Sequence, residues 1–386
     1  MIDSRIVALT AVVGLAPPSF IAPANAQTTL IVDQSGGGAF TEIQPAIDAA
    51  HPGDIVRVLP GARPYLGFRV TKRLSVLGSG SVQITGSAVP GALATFDVRN
   101  LAPGDTVVVR GFREAYSSPY IQGLLVQNCA GAVHLSDLQV RPFVTVRNCA
   151  QVSVDDCTLE AVQVTASDVL FAGTSSRGYA DVMCGCTIHA LILGRGVRAT
   201  VAGGNWQGAD GFYFAGAGPG IILQSDAQLT LTGDDRTVVQ AGQGSAPAIS
   251  VAPGATLVLD PDPLLVATGG SPSVLGTGRV LRERVPYLVA DVEQGALLAG
   301  LFTALGAQSW LLVSPFAPPV SLGAPLAPWW TPQPAVLAVG IVQTKPHVER
   351  IPLPPLPAGT ALPVQALVLD GTTVALSNAA VEILAH

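Results

Sequence analysis

A five-residue phrase recurs twenty positions apart: Val126-Gln-Asn-Cys-Ala130 and Val146-Arg-Asn-Cys-Ala150. The residues after each copy correspond as well. Ala130-Gly-Ala-Val-His-Leu-Ser-Asp137 is matched by Ala150-Gln-Val-Ser-Val-Asp-Asp156, one residue shorter. A chain that repeats itself at this period builds layers, each burying its apolar face only against the next. Stacked strands lie about 4.8 Å apart. Asn128 is therefore expected over Asn148, Cys129 over Cys149, and Asp137 beside Asp156. Asparagine suits a bend because it tolerates left-handed backbone. The two amides are expected to form a ladder that satisfies buried backbone groups there.

The same design extends along the chain. Short β-branched runs, such as Leu74-Ser-Val-Leu77, Val162-Gln-Val164 and Gln228-Leu-Thr-Leu-Thr232, alternate at period two and are cut by glycine. Pro52-Gly53, Pro103-Gly104 and Pro253-Gly254 each turn the chain into a new run. From Ile55 to about Val280 there is room for roughly ten coils, a rod on the order of 45 Å long. Such a rod needs a lid over its first coil, or the strand edges would template aggregation. Thr41 to Ala50 reads as that lid. Ile43, Ala46, Ile47 and Ala50 make one apolar face, and Thr41 with Gln44 fits a capping box.

The N-terminal wording is specific. Thr29-Leu-Ile-Val-Asp33, the Gly36-Gly-Gly-Ala-Phe40 turn, the Thr41–Ala50 helix and His51-Pro-Gly-Asp-Ile-Val-Arg-Val-Leu-Pro-Gly61 together resemble the opening of the pectin-lyase-like parallel β-helix repeat proteins secreted by bacteria. The resemblance implies an all-β fold: a right-handed parallel β-helix with an N-terminal capping helix. Residues 1–26 read as a signal peptide, with Arg5 in a positive n-region, an apolar Ile6–Leu15 and a small-residue site at Ala24-Asn25-Ala26. Export to the extracellular space or cell surface is the consequence.

From about residue 285 the texture changes to proline-rich turns and short strands, which predicts a small β-sandwich. Its ending, Val364-Gln-Ala-Leu-Val-Leu-Asp370 then Leu376-Ser-Asn-Ala379, resembles a C-terminal attachment or sorting module of secreted bacterial proteins. The expected organisation is signal peptide 1–26, β-helix 27–285 and β-sandwich 286–386. Gly295 to Ser314 is apolar enough to raise a transmembrane alternative. Gln308 and several glycines interrupt it, so no span is expected in the mature chain.

Composition narrows the partners. Twenty Lys and Arg stand against 26 Asp and Glu, a formal charge of −6, with no basic stripe, which excludes a nucleic-acid partner. An odd count of five cysteines in an exported chain leaves at least one unpaired. A reduced, buried ladder of Cys129 and Cys149 is preferred to a disulfide, since free cysteine packs as a small hydrophobe.

Chemistry is less legible. Val154-Asp-Asp-Cys-Thr158 resembles the paired-aspartate stretch of polygalacturonase-type glycoside hydrolases, which makes Asp155 and Asp156, with Asp137, the candidate catalytic carboxylates. That family's accompanying Asn-Thr-Asp, Gly-His-Gly and Arg-Ile-Lys motifs are missing. Neighbours on a strand also face opposite ways, so Asp155 and Asp156 cooperate only across a turn. Stacked Asp137 and Asp156 form a candidate Ca²⁺ pair of the kind pectate lyases use, with Arg141 or Arg147 as a base-like partner by analogy. The alternative is that they are solvated turn residues. Trp206, Phe212 and Tyr213, in a glycine-rich stretch, are candidate sugar-stacking rings, and Arg147 a candidate substrate contact. Two function classes remain. The preferred one is a non-catalytic secreted β-helix that binds polysaccharide or cell-surface glycan, or builds a surface or adhesive layer. The other is a carbohydrate-active enzyme, a polysaccharide lyase or polygalacturonase-like hydrolase. An acidic cluster in an open groove would favour the enzyme, and dispersed charge on a flat flank the binder.

Overall fold

The computed structural model describes residues 27–87, 94–116, 122–181, 186–211, 216–313, 335–353, 356 and 360–383. Among them, 24 strands from Thr29–Val32 to Arg279–Arg282 join in one coiled sheet, every neighbour parallel. This is the right-handed parallel β-helix, followed by two antiparallel sheets.

Each coil has three faces, and the core is made of ladders of like side chains. On the first face Val76, Val109, Leu135, Val154, Phe171 and Val201 lie in successive register. On the second, Phe96, Leu124, Val144, Val162, Leu191 and Ile221 do the same. All of these are buried. The period is uneven. Leu124 pairs with Val144, Val144 with Val162 and Val162 with Leu191, so coils of 20 and 18 residues are followed by one of 29. The extra residues leave after the third face, partly as the hairpin Tyr179–Asp181 and Cys186–Ile188.

Bends between faces stack too. Asn100, Asn128, Asn148, Ala166, Gly196 and Asp226 all have positive φ where the second face turns into the first. Gly111, Asp137, Asp156, Gly173 and Gly203 have it where the first turns into the third. Asparagine, aspartate and glycine occur there because they reach left-handed backbone at least cost.

The helix Ile43–Ala49 closes the first coil with Ile43, Ala46 and Ile47 buried. The capping box is not formed. Glu42 is the N-cap residue and makes no side-chain cap bond. Gln44 instead accepts from the Arg69 amide at 2.7 Å and donates to Asp48 at 2.8 Å, which pins the lid to the coil beneath. At the far end the strands Leu264–Val266, Val274–Gly276 and Arg279–Arg282 have no strand partner on their outer edges among the described residues. Exposed Arg282 follows buried Leu259 in the ladder, a charge at a core position that blunts the edge.

The C-terminal unit packs a three-stranded sheet (Tyr287–Glu293, Ala296–Phe302, His347–Pro352) on a four-stranded one (Ala335–Ile341, Gln308–Val313, Ala361–Asp370, Thr373–Ile383). Leu288, Leu297, Leu301, Leu311, Val364 and Val368 form its core. The stretch 295–314, apolar enough to raise a membrane segment, thus supplies the sandwich strands Ala296–Phe302 and Gln308–Val313. No helix among the described residues is long and apolar enough to cross a membrane. This unit lies against the first face, where outward-pointing Leu170 packs on Ala379 and Val381. The outward ladder around it, His134, Ser153 and Thr200, is polar and fully covered.

Candidate functional site

The candidate aspartates stand at this seam. Asp137 and Asp156 occupy equivalent bends, with φ of 48° and 47°, each one residue past the register pair Ser136 and Asp155. Val154 faces the core, so Asp155 faces out. Asp156 follows at the bend, and its charge acts on Asp155.

Two further carboxyls come from the sandwich, Asp291 on Tyr287–Glu293 and Glu382 on Thr373–Ile383. Burial, then Asp156, Glu382 and Asp291, drive the Asp155 pKa well above the ordinary carboxyl range, and Arg110 only partly opposes this. Burial, Asp291 and Asp156 push Glu382 up to about 8. Asp156 is raised by burial, by Asp291 and by Asp137, more mildly, since solvent reaches it. Among the described residues the cation that opposes these shifts is Arg110, and sequence spacing did not point to it. Arg147 lies on the second face, exposed, its Nε donating to Gln127 Oε1 at 2.9 Å. Arg141 pairs with Glu160 at 3.2 Å. No three carboxylate, histidine or cysteine side chains among the described residues converge as a cation site.

Trp206 is a core residue. Its ring has no exposure, meets Phe171 edge-on at 5.1 Å and donates to Gly203 O at 3.5 Å, so it offers no face to a sugar. The reason is alternation: Trp206 comes after Ser176 and before Val239 in the inward ladder of the third face. Phe212 and Tyr213 lie outside the described residues.

A different surface emerges at the other bend. An open groove of about 610 Å³ runs across neighbouring coils, lined by Asn128, Ala130, Asn148, Ala150, Asp168 and Arg198. Asn148 Nδ2 donates to Asn128 Oδ1 at 3.1 Å. Both amides are exposed, so the ladder exists but serves the surface rather than buried backbone. Arg198 grips Asp168 with two nitrogens, Nε at 2.7 Å. The floor is Cys129 and Cys149, both free thiols. Each donates to the carbonyl two residues back, Gln127 at 3.4 Å and Arg147 at 3.2 Å. In the next coil Ser167 does the same to Thr165 at 2.8 Å. The signal for this groove was in the sequence, as small residues (Ala130, Ala150) two positions after the bend asparagines.

A scan of protein-family models gives no match to the chain, and a search of curated proteins gives none either. The chain is defined by its architecture: a parallel β-helix carrying a β-sandwich on one flank.

Proposed function

We propose that this is an exported β-helix protein of pectin-lyase-like type that binds a polysaccharide or cell-surface glycan without cleaving it, the sandwich serving attachment. The observation that carries this reading is the open groove at the asparagine bend. It offers exposed amides, a carboxylate and a guanidinium along several coils, the donor and acceptor set that hydroxyl-rich chains take up. Arg147, exposed and next in sequence to Asn148, is proposed as a further donor to the same glycan. The test is affinity electrophoresis against a panel of neutral and acidic polysaccharides. The double variant Asn128→Gly/Asn148→Gly keeps the left-handed backbone and removes both amides. Binding weakened about tenfold, the worth of one or two lost hydrogen bonds, supports the assignment. Undiminished binding by a folded double variant removes it.

One observation keeps the enzyme reading in view. Glu382, pushed up to about 8, has the character of a general acid, and Asp291 and Asp156 are the carboxyls that act on it. Reproducible cleavage of any polysaccharide, lost in a folded Asp137→Asn/Asp156→Asn variant, would replace the binding assignment with a hydrolase or lyase.

A further inference from the structure

The bends that turn the second face into the first form a row on successive coils, and its rungs are not equivalent. Asn100, Asn128 and Asn148 carry amides, whereas the next two rungs, Ala166 and Gly196, carry no polar side-chain atom. Asn148 donates through Nδ2 to Asn128 Oδ1 at 3.1 Å. An amide that donates towards one neighbour presents its oxygen towards the other, here Ala166. Asn148 Oδ1 accepts no hydrogen bond among the described residues. The ladder therefore stops at an open acceptor. A Cβ placed on Gly196 would meet only the Ala166 Cα, at 3.7 Å, so the space over these two rungs is empty and forms part of the groove of about 610 Å³. Ala166 is exposed and holds φ of 46°, a backbone that asparagine or glycine reaches at lower cost.

The rest of the lining sets the chemistry of an occupant. Ala130, Ala150 and Ala166 offer methyl groups. Asp168 and Arg198 are the charged residues of the lining, and they hold each other, Nε to Oδ1 at 2.7 Å, so no unpaired charge is left there to draw an anion. Arg198 keeps N–H donors beyond the two directed at Asp168.

We propose, resting on the reading that this groove binds a glycan, that the glycan is built of acetamido sugars and that an acetamido group takes the place of the missing asparagine at Ala166. That group is itself an amide ending in a methyl. Its N–H donates to Asn148 Oδ1 and continues the ladder, its carbonyl accepts from Arg198, and its methyl lies on the alanine methyls. A sugar hydroxyl can supply the bond to Asn148 but not the methyl. A uronate carboxylate has no proton to give to Oδ1 and meets no unpaired cation in the lining.

The test is isothermal titration calorimetry of the whole protein with chitohexaose and with cellohexaose, chains of the same linkage and length that differ in carrying an acetamido group or a hydroxyl on each sugar. Chitohexaose should bind tighter by about tenfold or more, the equivalent of one hydrogen bond and a covered methyl. Ala166→Asn fills the rung with the protein's own amide and should weaken chitohexaose binding by about tenfold. Ala166→Gly relieves the same backbone, leaves the rung open and should keep the wild-type affinity. Both variants should resist urea at least as well as wild type, which separates an occupied groove from a damaged fold. Absent binding of chitohexaose, equal affinity for the two hexasaccharides, or a folded Ala166→Asn variant that binds as wild type does would each overturn the acetamido assignment. The broader glycan reading stands or falls separately, on whether Asn128→Gly/Asn148→Gly loses binding across the polysaccharide panel.

Discussion

At the residue scale the bends carry most of the specificity. Asn148 does two things: it reaches φ of 53° and bonds Asn128 across the coil. Alanine there forfeits an exposed hydrogen bond, about 1 kcal/mol, and adds left-handed strain of about 1–2 kcal/mol. Glycine forfeits only the bond. Urea unfolding should therefore rank wild type above Asn148→Gly and both above Asn148→Ala. The residue after the bend has its own logic. Cys129, Cys149 and Ser167 each return a hydrogen bond to the carbonyl two residues back, so the thiol is used as a buried donor. Cys149→Ser should then be milder than Cys149→Ala by about 1 kcal/mol, read from the same unfolding curves. Both ladder positions were legible in the sequence because a repeat aligns residues without any knowledge of the fold. The burial of the cysteines was legible too, but the exposure of the asparagines was not, since it depends on what lies outside the coil.

At the scale of elements, two polar clasps hold strands that sequence distance separates. Asn378 sits in the Leu-Ser-Asn-Ala phrase of the C-terminal module. It accepts from the Leu288 amide at 2.7 Å and donates to the Leu288 carbonyl at 2.8 Å, tying one sandwich sheet to the other. Asn378→Ala orphans both backbone groups in the interior, at about 1–3 kcal/mol each. The prediction is a sandwich that melts before the solenoid, resolved as a separate calorimetric transition. The other clasp is Asp97, only 1% exposed, gripped by Arg69 Nε at 2.7 Å and by Arg99. Its loss in Asp97→Ala should cost about 3 kcal/mol, near the lower bound for breaking a buried pair, because both guanidiniums can still reach water. The lid helix shows the limit of local motifs. Thr41 and Gln44 have the spacing of a capping box, yet Gln44 is drawn to the Arg69 amide of the coil below, a partner that exists only once the lid is docked.

At the scale of the molecule, the β-helix should fold without its flank unit, because each coil contacts only its neighbours. A fragment of residues 27–285 is expected to keep its strand circular dichroism signal. It should also self-associate more readily than the whole chain, since Leu170 and its covered neighbours become solvent-facing. Sedimentation velocity of the fragment beside the full chain checks both halves of this. An unfolded fragment would mean that the sandwich is a structural part of the rod rather than an addition to it.

The sequence by itself determined the stacking. Period-two runs, a near-twenty-residue echo and glycine or asparagine at each turn are local properties, and they specify a coil whatever surrounds it. Tertiary structure alone decided which outward surfaces stay open. Trp206 reads as a sugar platform until register places it in the inward ladder. Asp155 reads as one of an isolated pair with Asp156, yet in the fold the charges of Asp291 and Glu382, more than a hundred residues later, also act on it. A repeat encodes the surface each coil presents to the next, whereas the partner of its outer face is set by docking a separate unit, and no spacing within the repeat records that contact.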